Sequence, residues 1–552
     1  MLKPTTPNGN HAALHLSDFT TTTRVLPIAG LAIVIGVGAA YVATALLKLI
    51  NFFTNLFFFQ RFSLSFASPA SHHLGPFVIL VPIAGAFIVG LMARYGSDRI
   101  RGHGIPEAIE AILMGGSRVE PKVALLKPIS AAISIGSGGP FGSEGPIIMT
   151  GGALGSLVAQ FFHLTASERK TLLVAGAAAG MSATFAAPVA SVVLAVELLL
   201  FEWKPRSIIP VALASVTAAT ARRFLIGLGP VFAVPIHPSV ISNKALAACI
   251  LVGLLAGVLS ALLTNAVYAS EDAFHRLPIH WMWWPPIGGL IIGLGGLLFP
   301  QALGVGYDII DGLLQGNMPM KIIAGVLIVK STIWALSLGS GTSGGVLAPL
   351  LMMGAALGGV ESTFLPAAGA GFWPLVSMGA VLAGTMRAPL TGVVFALELT
   401  HDVNMLLPLL LAVTVAHGFT VLTLKRSILT EKISRRGYHL SQEYAIDPLE
   451  IIFARDVARD IAEAIDLADG VVAYGDEPLR VIAYRMAETG LTRLPVVVRE
   501  TGEKTGFIEL SDLLTARSRI LAAEERRERL LGTRDQLRAI GAMFGGDRQK
   551  SV

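Results

Sequence analysis

Cysteine and charge are what this sequence has least of. One cysteine, Cys249, stands among 552 residues, so an internal disulfide and a Cys-rich metal cluster are both excluded. Its neighbours from Leu246 to Leu254 are mostly apolar, which reads as a packing residue rather than a reactive thiol. Asp, Glu, Lys and Arg make up 14% of the chain, against roughly 25% in soluble domains. With 53% hydrophobic residues, that shortage excludes a disordered chain, a secreted disulfide scaffold and an ordinary soluble enzyme. HExxH and Walker motifs are also missing, so neither an enzyme nor a cofactor nor a metal is expected. No basic run interleaves with aromatics, so the net charge of +5 does not point to nucleic acid.

The few charges are unevenly placed. Beyond residue 436 roughly three residues in ten are charged, against roughly one in ten before it. The pattern predicts a membrane body over 25–435 and a water-soluble tail over 436–552. The first 24 residues are polar and lack the basic, apolar and small-residue succession of a cleaved signal peptide. Apolar stretches at Val25–Phe59 and Phe77–Met92 are long enough to cross about 30 Å of hydrocarbon. Arg94, Arg99, Arg101, Arg118 and Lys122 follow them, which by the positive-inside rule puts those loops, and both termini, in the cytoplasm.

From Lys122 to Leu424 the apolar segments are short and interrupted by Gly and Pro. Broken helices at membrane depth belong inside protein or along a wet cavity, which suits a transporter or channel. A repeat sharpens this. Lys127, Gly136, Ser137, Gly138, Gly142 and Pro146 recur as Lys330, Gly339, Ser340, Gly341, Gly345 and Pro349. Ala187, Pro188, Val192, Val193, Ala195 and Glu197 likewise meet Ala388, Pro389, Val393, Val394, Ala396 and Glu398. Two halves, about 25–229 and 244–424, therefore share a design, and repeat transporters bind substrate where broken helices of both halves meet.

Gly102-His103-Gly104-Ile105-Pro106, Gly142-Ser143-Glu144-Gly145-Pro146 and Gly345-Val346-Leu347-Ala348-Pro349 each read as a close turn opening a helix. The free N–H groups and positive end of a helix dipole replace the water that an anion loses in a membrane. These motifs make Gly102, His103, Gly104, Gly142, Ser143, Gly145, Gly345, Val346 and Leu347 candidate anion-binding residues.

With these motifs in this order, residues 25–435 resemble the CLC family of chloride channels and chloride/proton antiporters. Gly102–Pro106 is similar to its GSGIP motif, Gly142–Pro146 to G(K/R)EGP and Gly345–Pro349 to GxFxP, and Met386–Thr400 is also typical. The resemblance implies an all-α polytopic membrane protein, an inverted repeat of broken helices, working as a homodimer in the plasma (inner) membrane with lipid around it. Its cargo is chloride or a similar anion such as nitrate, moved through a passive channel or exchanged for protons. Glu144 takes the place of the gating glutamate, and a carboxylate at a helix start can occupy an anion site until protonated or displaced. Lys127 matches a family lysine and is expected to pair with a buried carboxylate or to shape the pathway's potential; Lys330 is its counterpart.

The departures bear on selectivity and coupling. The family's central serine is His103 here, its inner tyrosine Leu429, its GxFxP phenylalanine Leu347, and Ser143 stands in place of the basic residue beside the gate. The Glu-Glu pair of antiporters reads Glu197-Leu198, so Glu202, one helical turn after Leu198, is the candidate substitute on a proton pathway with Glu197.

In the tail, 472–517 resembles one CBS motif of a small α/β domain, with strands at Leu494–Val498 and Thr505–Ile508 and helices over Pro478–Glu488, from Ser511 and over Leu521–Leu531. Asp512 occupies the ribose-contacting place of nucleotide-binding versions, yet a helix cap from Ser511 and Asp512 explains it equally. A tail nucleotide is therefore not supported.

Overall fold

The computed structural model describes residues 21–113, 115–437, 449, 452–459, 471–499 and 501–517. Two compact units are distinguished, the body Thr21–Gln442 and a second unit that includes the residues from Glu443 on.

The first half of the body runs α1 (Val25–Phe59), α2 (Leu80–Tyr95), α3 (Ile105–Leu113), α4 (Pro121–Gly136), α5 (Glu144–Gln160), α6 (Ala166–Phe185), α7 (Pro188–Leu194) with a π-helical continuation (Ala195–Leu200), and α8 (Pro205–Leu225). The second runs α9 (Asn243–His275), α10 (Trp284–Leu298), α11 (Tyr307–Leu314), α12 (Met320–Gly325) and α13 (Ser331–Gly339) joined by a π-helical turn (Val326–Lys330), α14 (Leu347–Glu361), α15 (Phe372–Met386), α16 (Pro389–Thr400) and α17 (Leu406–Thr423). A short α18 (Thr430–Arg435) follows. Helix for helix, α1 to α8 have counterparts in α9 to α17, with α12 and α13 together matching α4.

The match extends to helix ends. Pro188 and Pro389 open their helices at the first position, where a missing N–H costs nothing. Ala186 and Arg387 end the preceding helices in the left-handed region, φ 54° and 57°; Phe201 and His401 do the same one element later, φ 52° and 57°. Side chains other than glycine rarely adopt that backbone, so four occurrences in two matched pairs mark one shared geometry.

Among the described residues, seven helices are long and apolar enough to cross a membrane, and four shorter apolar ones accompany them. The centre is built from helices buried all round: every residue of α15, and α6 from Thr171 onward, is buried. The short elements are thus held inside protein, the condition under which broken backbone survives at membrane depth.

One reciprocal contact ties the halves. The Glu197 carboxylate accepts from Leu390 N at 3.1 Å and from Thr391 N and Oγ1 at 2.9 and 2.6 Å, capping α16. Glu398 accepts from Val189 N at 2.9 Å and Ala190 N at 2.7 Å, capping α7. Each half closes the helix start of the other, as a two-fold axis between them requires.

In the second unit, β1 (Ala473–Tyr474) lies parallel to β2 (Arg493–Val497), which pairs antiparallel with β3 (Lys504–Glu509) in the order β1-β2-β3. Helix α19 (Leu479–Thr489) connects β1 to β2 and packs Leu479, Ile482 and Met486 onto Leu494, Val496 and Ile508. The expected strands and helix start fall within a residue or two of those observed. Strand β1 was not expected, because two residues carry no periodicity. Asp512 caps as expected, from inside the helical stretch 510–517: it accepts the Glu509 N–H at 2.9 Å, and it also pairs with Arg459 at 2.6 Å. Buried Glu477 holds Arg485 through two bonds of 2.8 Å. The helix expected over Leu521–Leu531 lies outside the described residues.

Candidate anion pathway

Three of the helix starts singled out by sequence converge. Gly142 and Gly345 form an antiparallel bridge, with N–H···O bonds of 3.0 and 2.7 Å in the two directions. Gly102 pairs with Ser343 beside it, Gly344 N donating to Gly102 O at 3.4 Å. The bridge sets the N-termini of α5 and α14 against each other, so first-turn amides of both halves face one small region. Gly145 sits directly under the His103 carbonyl, and a Cβ there would collide with that oxygen.

Not every amide of the motifs is free for an anion. Those of Gly142 and Gly345 are spent on each other, and Gly104 N donates to Glu107 Oε2 at 3.0 Å, half of a capping box on α3. This corrects the expectation for those three glycines: they shape the site, and the donors left at its heart belong to the helix starts at Ser143–Gly145 and Val346–Leu347.

Glu144 opens α5 and is 0% exposed. Its carboxylate folds back over Gly142 and Gly345. The nearest polar groups are its own amide, that of Ala348 and the Tyr307 hydroxyl, none in full hydrogen-bond geometry. A carboxylate therefore lies where two helix dipoles converge.

Two cavities approach this point. A larger one of about 970 Å³ reaches His103 and Met149 and is rimmed by Arg99, Arg101, Arg118, Lys432, Arg435 and Arg436, with Glu107, Glu110 and Asp272 among them. A smaller one of about 220 Å³ ends on Ser143 and the loop Gly304–Asp308. Ser143, next to Glu144 in the chain, lines the smaller cavity, and His103, whose carbonyl lies against Gly145, lines the larger.

The lysines do not pair with carboxylates. Lys127 Nζ donates to Ile100 O and Gly102 O, both at 2.8 Å, and Lys330 Nζ to Ala302 O at 3.0 Å and Gly304 O at 2.6 Å. Both side chains are 0% exposed, so neither snorkels to a polar surface. Each pins a loop of the same design, Gly102-His103-Gly104-Ile105 in one half and Gly304-Val305-Gly306-Tyr307 in the other. Gly102 and Gly104 have φ 78° and 90°, Gly304 and Gly306 φ 65° and 80°, backbone that favours glycine. The second loop escaped the sequence reading although it follows the first by the displacement of the rest of the repeat; its missing proline hid it.

His103 is buried, lines the larger cavity and leaves Nδ1 without a partner. Leu429, at the family's tyrosine position, is 0% exposed and apolar; the Tyr268 hydroxyl donates to the neighbouring Ile428 O. Lys432 on α18 binds Glu107 at 2.6 Å, a pair that residue spacing does not reveal, since the two are far apart in the chain.

The proton-pathway candidates are otherwise engaged. Glu197 is the α16 cap described above. Glu202 does not share a helical face with Leu198: the π-helical turn ends at Phe201, and Glu202 lies beyond it, held by Ser207 Oγ at 2.8 Å, Lys204 at 3.2 Å and Lys170 at 3.9 Å.

A family model described as voltage gated chloride channel matches residues 84–421, more than half the chain, and a CBS domain model matches 458–519. The chain belongs to the CLC family. A relative from Klebsiella pneumoniae subsp. pneumoniae, the H(+)/Cl(-) exchange transporter ClcA, is 31% identical over 410 residues, covering 70% of this chain and 84% of its own. A slow cyanobacterial Cl-/H+ antiporter of known structure superposes with TM-score 0.66 at 22% identity, over 75% of this chain and 98% of its own. A CLC-type fluoride/proton antiporter does so with TM-score 0.63 at 20% identity, over 72% and 97%. This CLC protein is a multi-pass membrane protein of anion transport, with a small α/β CBS region at its C-terminal side.

Proposed function

We propose that this CLC protein carries chloride and similar anions past Glu144, whose carboxylate closes the pathway when ionised and leaves it when protonated or displaced by an anion. The observation behind this is the buried Glu144 carboxylate lying on the Gly142–Gly345 bridge, with one cavity reaching Ser143 and the other His103. An ionised group at mid-membrane costs at least about 2.5–3.5 kcal/mol, which a fold retains for a function. Val346 and Leu347 amides, with those of Ser143 and Gly145, bind the anion once the carboxylate has left. His103 offers a hydrogen bond at the inner end of the larger cavity, and the arginines at its rim gather anions from solution.

The larger cavity faces the cytoplasm, because Arg99, Arg101 and Arg118 line it from segments between helices and basic loops stay inside. Both termini are then cytoplasmic, in the plasma (inner) membrane, and the unit of function is a homodimer with one pathway per subunit.

Exchange of anions for protons is the second reading, supported by the exchange activity in the relative's name and by a gate that is itself a proton acceptor. Against tight coupling stand Leu198, buried and apolar, and the engaged carboxylates of Glu197 and Glu202. Reversal potentials of the purified protein in bilayers, under separate anion and pH gradients, decide between them. A potential that follows the anion gradient alone supports a channel, and one that also moves with pH supports exchange. A potential that follows only a cation gradient contradicts both.

A further inference from the structure

Tyr307 opens α11 at the place where Ile105 opens α3 in the other half. Its ring is bounded by Phe185 and Phe232, with centroids 6.4 and 6.2 Å away, and Phe185 in turn meets Phe395 at 5.3 Å. This aromatic box fixes the direction of the hydroxyl. The hydroxyl lies 3.4 Å from Ser143 Oγ and faces the Glu144 carboxylate, at the floor of the smaller cavity. Both carboxylate oxygens are buried without a completed hydrogen bond, so a small displacement of either group completes one.

The other charged groups near Glu144 are committed elsewhere. Lys127 on α4 and Lys330 in the π-helical turn hold carbonyl oxygens, Glu107 on α3 is bound by Lys432, and Asp308 on α11 accepts from Ser68 at 2.8 Å. From α14 comes only the amide of Ala348. His103, on the loop before α3, lies on the larger-cavity side with its Nδ1 unpartnered, and Tyr307 is the titratable side chain that faces the carboxylate from the smaller cavity.

We propose that Tyr307 is a positioning residue for Glu144, its hydroxyl donating to the ionised carboxylate and holding the gate closed from the side of the smaller cavity. The proposal rests on the reading of Glu144 as the gate. With Leu429 lacking a hydroxyl and His103 replacing serine, Tyr307 and Ser143 bring hydroxyls to the gate from the opposite side. A hydrogen bond to an ionised acceptor favours the ionised form, and removing the donor lets protons release the gate at higher pH.

The test is anion flux against pH for the full chain in liposomes, comparing wild type, Tyr307→Phe, Glu144→Gln and the double variant. Phenylalanine keeps the ring in its box and removes one oxygen. The expected result is a rise of about one unit in the pH of half-maximal flux for Tyr307→Phe. In the Glu144→Gln background the same change alters flux by less than about twofold, because the two groups act as one unit. An unmoved pH profile in Tyr307→Phe overturns the proposal, and so does an equal effect of the substitution with and without Glu144. If Glu144→Gln alone keeps the wild-type pH profile, the gating reading fails and takes the proposal with it, a separate and recognisable result. Flux through the double variant reports that the altered protein folds.

Discussion

The two halves of the body use one scaffold for different chemistry. Glu144 and Leu347 occupy equivalent places at the starts of α5 and α14, yet one brings a carboxylate and the other an aliphatic chain. His103 and Val305 are equivalent in the lysine-pinned loops, as are Ile105 and Tyr307. What repeats is what the backbone needs: glycines of positive φ, a buried lysine on two carbonyls, a glutamate across each helix start. What differs is what the anion meets. The lesson is that the repeat builds a cradle of amides, and that asymmetry of side chains is what, on the proposed reading, turns the cradle into a gated path.

The largest expected effect breaks this asymmetry at the gate. Glu144→Gln should flatten the pH dependence of anion flux to within about twofold over a range where wild type changes by at least about tenfold, since no ionisable group is left at that helix start. Leu347→Ala, at the equivalent place, should leave the pH profile in position. A proteoliposome flux assay over pH 4–8 reads both.

Next come the features the halves share, where substitutions should cost alike. Lys127→Met and Lys330→Met each strip two buried carbonyl oxygens of their donor, at about 1–3 kcal/mol per oxygen. Both should lower thermal stability in detergent, by comparable amounts. A loss confined to one of them would mean that the two loops are not equivalent supports.

A smaller effect is expected at the reciprocal caps. Glu197→Gln and Glu398→Gln weaken charge-assisted bonds to helix starts and should each destabilise by about 1–2 kcal/mol. Because Glu197 serves α16 here, Glu197→Gln should leave any dependence of reversal potential on pH unchanged, which separates a cap from a proton carrier.

The smallest effect lies in the tail. Arg493 beside Glu509 holds its carboxyl below the usual carboxylate range. The contribution of this pair is therefore complete above the ordinary glutamate pKa and fades as pH falls below it toward the folded value. Amide hydrogen exchange of β2 and β3 in the full chain should accelerate in that acid window for wild type, and show less change in Arg493→Ala.

Much of this was legible in the sequence, and particular residues show why. Gly142, Glu144 and Gly345 announced a helix-start site because close turns restrict residue type. Val25–Phe59 announced a spanning helix because its composition alone demands one. The second loop, Gly304–Tyr307, was hidden by a missing proline, and Tyr307 with it. Pairings such as Lys127 with carbonyls or Lys432 with Glu107 depend on where backbone polar groups end up, which periodicity does not encode. Glu202 was misjudged for a local reason: the left-handed residue at Phe201 ends the helix before it, and phenylalanine gives no warning of that conformation.

The central claim is that the joined starts of α5 and α14 hold an anion in the place Glu144 vacates. Crystals of the Glu144→Gln protein grown in bromide test it through anomalous scattering. The account predicts a bromide peak beside the Val346 and Leu347 amides, weaker in the wild-type protein at neutral pH. Well-occupied bromide elsewhere with none at those amides in either protein would contradict it.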